Sequence, residues 1–137
     1  MSVFVDSSGL FALLDADSQE HGVAVAEWNL FRRERTTLRT HSYVVIETAA
    51  IVQRRIGMDA AVTLHRDLIS VLSVRFVDPE LHNEATTSLL AAARRKVSLV
   101  DWTSFAVMRN EDMTEAFAFD GHFAEQGFTL RPASEAL

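Results

Sequence analysis

SVFVDSSGL, residues 2–10, is a short β-branched and aromatic run that ends in Asp6 and passes into serine and glycine. Ser7, Ser8 and Gly9 have the turn and helix-capping chemistry that marks the end of a strand. The apolar stretch Leu10 to Leu14 follows at once. This pattern predicts a strand, then a turn, then a helix.

The same alternation continues along the rest of the chain. Apolar residues recur at helical spacing in five further segments, and we predict helices over about 22–35, 43–55, 59–72, 79–95 and 102–110. Short apolar runs between them predict strands beginning at Leu38 and over 74–77, 97–100 and 117–119. Strands that alternate with helices are typical of βαβ units, so we expect an α/β protein with a mainly parallel sheet.

Length and composition point to one soluble domain. The chain has 137 residues, 48% of them hydrophobic, which is enough to bury a core, and we expect residues 1–137 to form a single domain. It has no cysteine, which excludes disulfides, thiolate zinc sites and a cysteine nucleophile. No apolar run reaches the roughly 18 residues needed to span a bilayer. We therefore expect a cytoplasmic protein with no membrane contact.

The charge pattern limits the kinds of nucleic-acid contact. A formal net charge of -6 argues against a broad basic surface for duplex DNA. Basic residues are almost all arginine, and they cluster at 32–35, 54–55 and 94–96. Arginine suits phosphate, so a local contact to a nucleic acid is one interpretation. The other is that the clusters are solvated helix faces paired with nearby acids.

Three aspartates follow predicted strands. Asp6 ends SVFV, Asp101 ends VSLV and Asp120 ends AFAF. Ligands of open α/β sheets bind just outside the carboxyl ends of the strands, so these three carboxylates would meet at one edge. Aspartate is also a good helix cap, and capping alone is an equally good explanation of any one of them. We assign only a capping role to Asp78, because Pro79 follows it.

Glu47 is the fourth acid, and it lies in a helical segment among Val44, Val45 and Ile46. An unpaired glutamate would be costly to bury there, and a cation would remove that cost. Converging carboxylates without histidine or cysteine ligands favour Mg²⁺ or Mn²⁺ over zinc. Such ions polarise phosphoryl oxygens and acidify water, so hydrolysis of phosphodiesters is the natural chemistry.

Hydroxyl residues and one histidine flank the acids. Ser7, Ser8, Thr103 and Ser104 could orient a ligand or water, or could cap the helix that follows. His122 lies two residues after Asp120 and could touch a substrate, although a structural role is more typical of a lone histidine.

Three stretches resemble the PIN-domain family, and within it the VapC-type toxins of bacterial and archaeal toxin–antitoxin pairs. VDSSGL at 5–10 resembles the family's first strand and acid, and YVVIET at 43–48 resembles its helical glutamate. SLVDWTSFAVM at 98–108 and AFDGHF at 118–123 are similar to its C-terminal half. The resemblance covers essentially the whole chain.

The resemblance implies a three-layer α/β/α sandwich and a Mg²⁺- or Mn²⁺-dependent endoribonuclease that cuts single-stranded or looped RNA. The catalytic, metal-holding acids would be Asp6, Glu47, Asp101 and Asp120, with Ser7 and Ser104 as small hydroxyl residues beside them. It also implies an inhibitory antitoxin partner and a homodimer.

Other functions stay open at this point. A PIN nuclease with a housekeeping role in RNA processing would have the same acids. A catalytically silent PIN-like binding module would use them only as helix caps. A phosphatase of the haloacid-dehalogenase type would need a second acid at position 8, where Ser8 stands, and a phospho-receiver would need paired acids after its first strand.

Overall fold

The computed structural model describes residues 1–133, and in that part of the chain five parallel strands form one sheet. The strands are Ser2–Val5 (β1), Thr37–His41 (β2), Ser73–Arg75 (β3), Glu115–Phe117 (β4) and Thr129–Arg131 (β5). Their spatial order is β3-β2-β1-β4-β5, and all four pairings are parallel. The predicted α/β fold with a parallel sheet is confirmed.

Helices connect the strands. They are Ser7–Leu14 (α1), His21–Arg33 (α2), Ser42–Arg55 (α3), Met58–Thr63 (α4), Pro79–Ala92 (α5), Leu99–Asn110 (α6) and His122–Glu125 (α7). The chain continues from α4 through a π-helical turn, Leu64–Leu68, and a 3₁₀ turn, Ile69–Val71. Across residues 1–133, no helix has both the length and the apolar character needed to cross a membrane.

The strand order places a topological switch point beside β1. The chain adds β2 and then β3 on one side of β1, and later returns to add β4 and β5 on the other. Right-handed crossovers in opposite directions put their helices on opposite faces of the sheet, which gives the three layers. The carboxyl ends of β1 and β4 therefore flank a crevice, the usual ligand site of such sheets.

Aromatic side chains fill the core on both faces. Trp28 and Phe31 of α2 pack against Phe117 of β4, with ring centroids 6.0 and 5.7 Å away. Phe123 of α7 packs against Phe4 of β1 at 6.0 Å and meets Phe105 of α6 edge-on at 5.1 Å. Such buried rings contribute much of the apolar area that holds the layers together.

One predicted strand is wrong. We expected residues 97–100 to form a strand that ends at Asp101, but Leu99 begins α6 and Asp101 lies in its first turn. The Ser98 hydroxyl accepts a hydrogen bond from the Asp101 amide, and the Asp101 carboxylate accepts one from the Ser98 amide. This capping box satisfies amides that a helix start leaves free, which favours a helix over the strand suggested by the apolar residues.

Other differences concern boundaries and two missed elements. The predicted strand 117–119 lies at Glu115–Phe117, so Asp120 is three residues beyond β4 rather than directly at its end. The sequence pattern did not reveal the short α7 and β5. Asp78 caps α5 as predicted, because its carboxylate accepts from the Leu81 amide at 2.8 Å.

Candidate active site

Asp6 is the most buried acid of the candidate site. It follows β1, is 2% exposed, and its amide donates to the Phe117 carbonyl of β4 at 3.1 Å. Its Oδ2 accepts from the Ser8 amide at 3.1 Å and from the Ser8 hydroxyl at 2.6 Å, which also caps α1. Its Oδ1 is buried without a hydrogen-bond partner. The pKa of Asp6 is raised from 3.8 to about 7, chiefly by burial and also by the charges of Asp101 and Asp120, while the hydrogen bonds from Ser8 act to lower it.

Glu47 is held against the first helix. It lies on α3, and its Oε1 accepts a hydrogen bond from the Ser7 hydroxyl at 2.6 Å. Ser7 was predicted to support the acids, and this contact joins the first turn of α1 to the middle of α3. Glu47 is half-buried, so its charge is only partly desolvated.

Asp101 and Asp120 complete the group of acids. Asp101 Oδ2 is used in the capping box of α6. Burial raises the pKa of Asp101, and the charges of Asp120 and Glu47 add to this effect, while hydrogen bonds from Ser98 oppose it. Asp120 Oδ1 accepts from the His122 amide at 2.9 Å.

A second contact of Ser8 couples the two loops at the switch point. Its hydroxyl donates to Asp6 Oδ2 and accepts from the Phe119 amide at 2.9 Å. Phe119 directly precedes Asp120, so one serine fixes both aspartates that flank the crevice.

All four predicted acids line one cavity of about 390 Å³, which we call the acidic cavity. Its lining comprises Asp6, Ser7, Ser8, Phe11, Glu47, Thr48, Ile51, Arg55, Lys96, Ser98, Asp101 and Asp120. Each acid uses one oxygen for a hydrogen bond that fixes its position, and the bond is local for the three aspartates, whereas for Glu47 it comes from Ser7. Asp6 and Asp101 thus each take part in capping a helix and also line the cavity, so a capping role does not exclude a role in a site.

The residue types suit a divalent cation, although their side chains do not stand in a complete coordination geometry. Oxygen donors alone suit Mg²⁺ or Mn²⁺, and the unpartnered Oδ1 of Asp6 is a buried acceptor that requires a proton or a cation. Within residues 1–133, no group of three or more His, Cys, Asp or Glu side chains stands in an arrangement that would hold an ion as it is. The charges of Asp101 and Asp120 help to raise the pKa of Asp6, and those of Asp120 and Glu47 help to raise the pKa of Asp101, which indicates a repulsion that a cation would relieve.

Ser104 and His41 lie behind the acidic cavity. Ser104 was predicted to stand beside the acids, but its buried hydroxyl donates to the Val100 carbonyl at 3.0 Å and contacts His41 Nε2 at 2.8 Å. His41 caps α3 by accepting from the Val44 amide through Nδ1. Burial lowers the pKa of His41 to about 3, so its ring is neutral and Nε2 is the donor.

Two cations and an aromatic ring at the cavity were not predicted as site residues. Arg55 and Lys96 belong to basic clusters visible in the sequence, but their place beside the acids depends on the fold. The Arg55 guanidinium lies 5.6 Å from the ring centroid of Phe11, within range of a cation–π contact. Arg55 shares a helical face with Glu47, and this spacing was the available signal.

Comparison with known proteins agrees with this architecture. The PIN domain family matches residues 3–128, and the chain belongs to the PIN-domain family.

One relative is alike over its full length. The chain is 37% identical over 132 residues to the 23S rRNA-specific endonuclease VapC20 of Mycobacterium tuberculosis. The aligned residues cover 95% of this chain and 98% of that protein. The crystal structure of the same relative, described as a sarcin–ricin loop cleaving toxin, superposes with a TM-score of 0.83 at 35% identity, over 93% of this chain and 96% of the other.

Two more distant structures share the fold. FitAcB from Neisseria gonorrhoeae has a TM-score of 0.67 at 11% identity and covers 95% of this chain and 96% of its own. VapBC2 from Rickettsia felis, bound to a DNA fragment from its promoter, has a TM-score of 0.68 at 11% identity. The match covers 95% of this chain and 97% of the other.

Proposed function

We propose that this chain, over residues 1–137, is a single-domain Mg²⁺- or Mn²⁺-dependent endoribonuclease and the toxin of a toxin–antitoxin pair. Asp6 carries the proposal, because its Oδ1 is buried without a hydrogen-bond partner. Asp6 also lines the same cavity as Glu47, Asp101 and Asp120. The full-length likeness to a 23S rRNA-specific endonuclease makes RNA, and ribosomal RNA first, the substrate class to test.

Asp6, Glu47, Asp101 and Asp120 would hold the metal. A bound divalent cation supplies Lewis acidity toward a phosphoryl oxygen and a more acidic water for attack on phosphorus. Ser7 and Ser8 keep the carboxylates of Glu47 and Asp6 in place through hydrogen bonds of 2.6 Å each. Fixed carboxylates need no reorganisation when charge develops in the reaction.

Arg55 and Lys96 supply positive charge at the same cavity. An RNA strand that approaches four carboxylates is repelled, and these two side chains offset that repulsion by binding its phosphates. Both are exposed, so they can reach a flexible strand. The acids and their metal would thus act on one phosphate, while Arg55 and Lys96 bind the same phosphate or the adjacent ones.

The test is cleavage of total RNA by the purified chain with Mg²⁺, with Mn²⁺ and with EDTA, alongside Asp101→Asn. Asparagine can still accept from the Ser98 amide, so α6 keeps its cap while one negative charge is lost. We expect metal-dependent fragments, and a loss of at least about 100-fold in the variant, beyond the 10- to 100-fold typical of losing a group that only supports a ligand. Asp78→Asn, at a helix cap outside the cavity, should cleave like the wild type.

A silent PIN-like module remains the second candidate, because each aspartate of the site does accept local backbone hydrogen bonds. Thermal melting separates the two. A cation that binds only the folded chain must raise the melting temperature, and Asp6→Asn should reduce the rise. Full cleavage by Asp101→Asn, or equal melting with and without millimolar Mn²⁺, would contradict the metal-dependent nuclease.

An antitoxin partner follows from the proposed toxin role and from the description of the relative as a toxin. Such a protein should suppress cleavage when it is added in equimolar amount. A housekeeping nuclease would cleave with no inhibitory partner, so co-expression with the product of a neighbouring small gene distinguishes the two roles.

A further inference from the structure

A second cavity lies next to the acidic cavity. It measures about 240 Å³ and is lined by Ser8, Phe11, Ala12, Ser18, Glu20 and Phe119, and we call it the aromatic subsite. Ser8 and Phe11 line both cavities, so the two are adjacent. The catalytic proposal does not use this space.

The two aromatic side chains of the subsite are fixed by neighbours that belong to the acidic site. The Phe119 amide donates to Ser8, and the Phe119 ring meets Phe117 at 6.2 Å and 69°. Phe11 lies under the Arg55 guanidinium on the side of the acidic cavity. Both rings are partly exposed. A planar group in the subsite would therefore meet pre-positioned rings.

We propose that the aromatic subsite binds one nucleobase of the RNA strand, adjacent to the phosphate held in the acidic cavity. This rests on the proposed ribonuclease function, which supplies the strand. Stacking of bases on aromatic rings is the common way in which proteins bind single-stranded nucleic acid. The volume is below the roughly 300–1,000 Å³ of pockets for drug-sized ligands, which suits a single base.

Glu20 gives the subsite a preference among bases. Its Oε2 accepts from the Ser18 hydroxyl at 2.7 Å, and its amide donates back to the same hydroxyl at 3.2 Å. An ionised carboxylate only accepts hydrogen bonds. It therefore favours the bases that carry an exocyclic amino group, which are adenine, cytosine and guanine, over uracil, whose exocyclic groups are both carbonyls.

The experiment measures binding rather than cleavage, so that the two proposals can fail separately. Fluorescein-labelled RNA hexamers of adenine, cytosine and uracil, and an adenine hexamer with one abasic position moved along the strand, are titrated by anisotropy. The protein carries Asp101→Asn so that strands stay intact, and the buffer contains Mn²⁺. The comparison is with Phe119→Leu and Phe11→Leu, which keep apolar volume but remove the aromatic face.

We expect the intact adenine hexamer to bind about 5- to 150-fold better than the abasic strand at one position, the range for loss of a stacking platform. The leucine variants should lose this ratio, and Glu20→Gln should reduce the preference for adenine and cytosine over uracil. Leu90→Ala, at an exposed apolar residue of α5, should leave the abasic ratio and the base preference unchanged.

Two outcomes would overturn the subsite. One is equal binding of intact and abasic strands by the parent protein, and the other is an unchanged ratio in both leucine variants. If the ratio is present and lost as expected while total RNA stays uncleaved, the subsite stands and the nuclease proposal fails.

Discussion

Asp6 has two tasks that its oxygens divide between them. Oδ2 caps α1 through Ser8, whereas Oδ1 has no partner and is buried. A carboxylate used only as a cap would normally be exposed to water, which solvates the second oxygen. The burial of Asp6 is therefore a cost that capping does not explain, and it motivates the catalytic interpretation.

The first prediction concerns pH and the stability of the metal-free chain. The pKa of Asp6 rises from 3.8 to about 7 on folding, because burial disfavours its charge. As pH rises, the unfolded chain therefore loses this proton before the folded chain does. Protonated Asp6 makes its full contribution to the free energy of unfolding below about pH 4, and this contribution is lost as pH rises through 7. At 1.36 kcal/mol per unit, the loss is roughly 4 kcal/mol at most.

His41 acts in the opposite direction. Burial lowers its pKa from 6.5 to about 3, so the unfolded chain takes up a proton that the folded chain refuses. Stability is complete above pH 6.5 and falls as pH drops toward 3. Between pH 4 and 6.5 the slopes of Asp6 and His41 oppose each other, and Asp101, whose pKa is also raised, adds to that of Asp6.

Asp6→Asn should isolate the contribution of Asp6, because His41 is the same in the variant and in the wild type. Asparagine keeps the cap but has no charge to bury, so the variant should gain stability over the wild type increasingly from pH 4 to 7. Urea unfolding in EDTA at four pH values measures this, with Asp78→Asn as the control for loss of charge at a helix cap. A difference that is constant with pH would contradict the raised pKa of Asp6.

The four acids and the neighbouring Ser7 could be proposed from the sequence as a group, but the contact of Ser104 with His41 could not. Asp6, Asp101 and Asp120 each follow an apolar run, a pattern local enough to see. His41 and Ser104 are 63 residues apart, and the packing of α6 against the end of β2 and against α3 brings them into contact. The sequence around His41 or around Ser104 gives no indication of a contact between residues so far apart in the chain.

At the scale of elements, α6 shows how a local signal can override apolar composition. Val97, Leu99 and Val100 suggest a strand, whereas Ser98 and Asp101 have the spacing of a capping box. The capping box determines the structure, and Leu99 and Val100 become the first residues of a helix. Asp101 is consequently held by the helix start rather than by the sheet.

The second prediction concerns the contact of α1 with β4. A Cβ added to Gly9 would lie 2.5 Å from Phe117 Cδ2 and 2.8 Å from the Phe117 carbonyl oxygen. Neither can yield easily, because Phe117 is in the buried sheet. Gly9→Ala should therefore destabilise the chain by about 1–3 kcal/mol, the usual cost of overpacking.

Gly22 provides the matched control, since it lies in α2 and a Cβ there would meet nothing within 4 Å. Gly22→Ala should be neutral or stabilising, because alanine favours helix by up to about 1 kcal/mol. Chemical denaturation of both variants checks the pair. Equal stability of Gly9→Ala and the wild type would mean that α1 can move away from the sheet without cost.

At the scale of the whole molecule, the resemblance implies a homodimer, which stays a prediction. Ser42, Val45, Ile46, Ile69, Val74 and Phe76 line an apolar cavity of about 270 Å³ beside β3. β3 is an edge strand, and Ile46 and Phe76 are 65% and 78% exposed. Exposed apolar residues grouped in this way mark interaction surfaces, and we expect a second copy of the chain to cover them.

Phe76→Glu should convert the dimer to a monomer, because a charge would be buried without a partner. Light scattering after size exclusion measures the mass of the wild type and the variant. Leu90→Glu, which adds the same charge at a residue 72% exposed on α5, should leave the mass unchanged. A monomeric wild type, or a Phe76→Glu variant with the mass of the wild type, would contradict this dimer.

The fold class was predictable because strands and helices alternate along the chain, but the strand order was not. Apolar runs show where strands exist, whereas the position of β4 beside β1 depends on contacts between residues more than 100 positions apart. β5 was missed because Thr129–Arg131 contains a single apolar residue, Leu130, and so shows no apolar run.

The position of β4 has a consequence for synthesis. β4 is the fourth strand to leave the ribosome, yet it is the neighbour of the central β1, and the loop after it carries Asp120. A nascent chain that ends before this point has neither the crevice nor the last acid. The proposed nuclease would thus be inert until β4 and the loop that carries Asp120 have been made, and the ribosome that translates it would be spared up to that point.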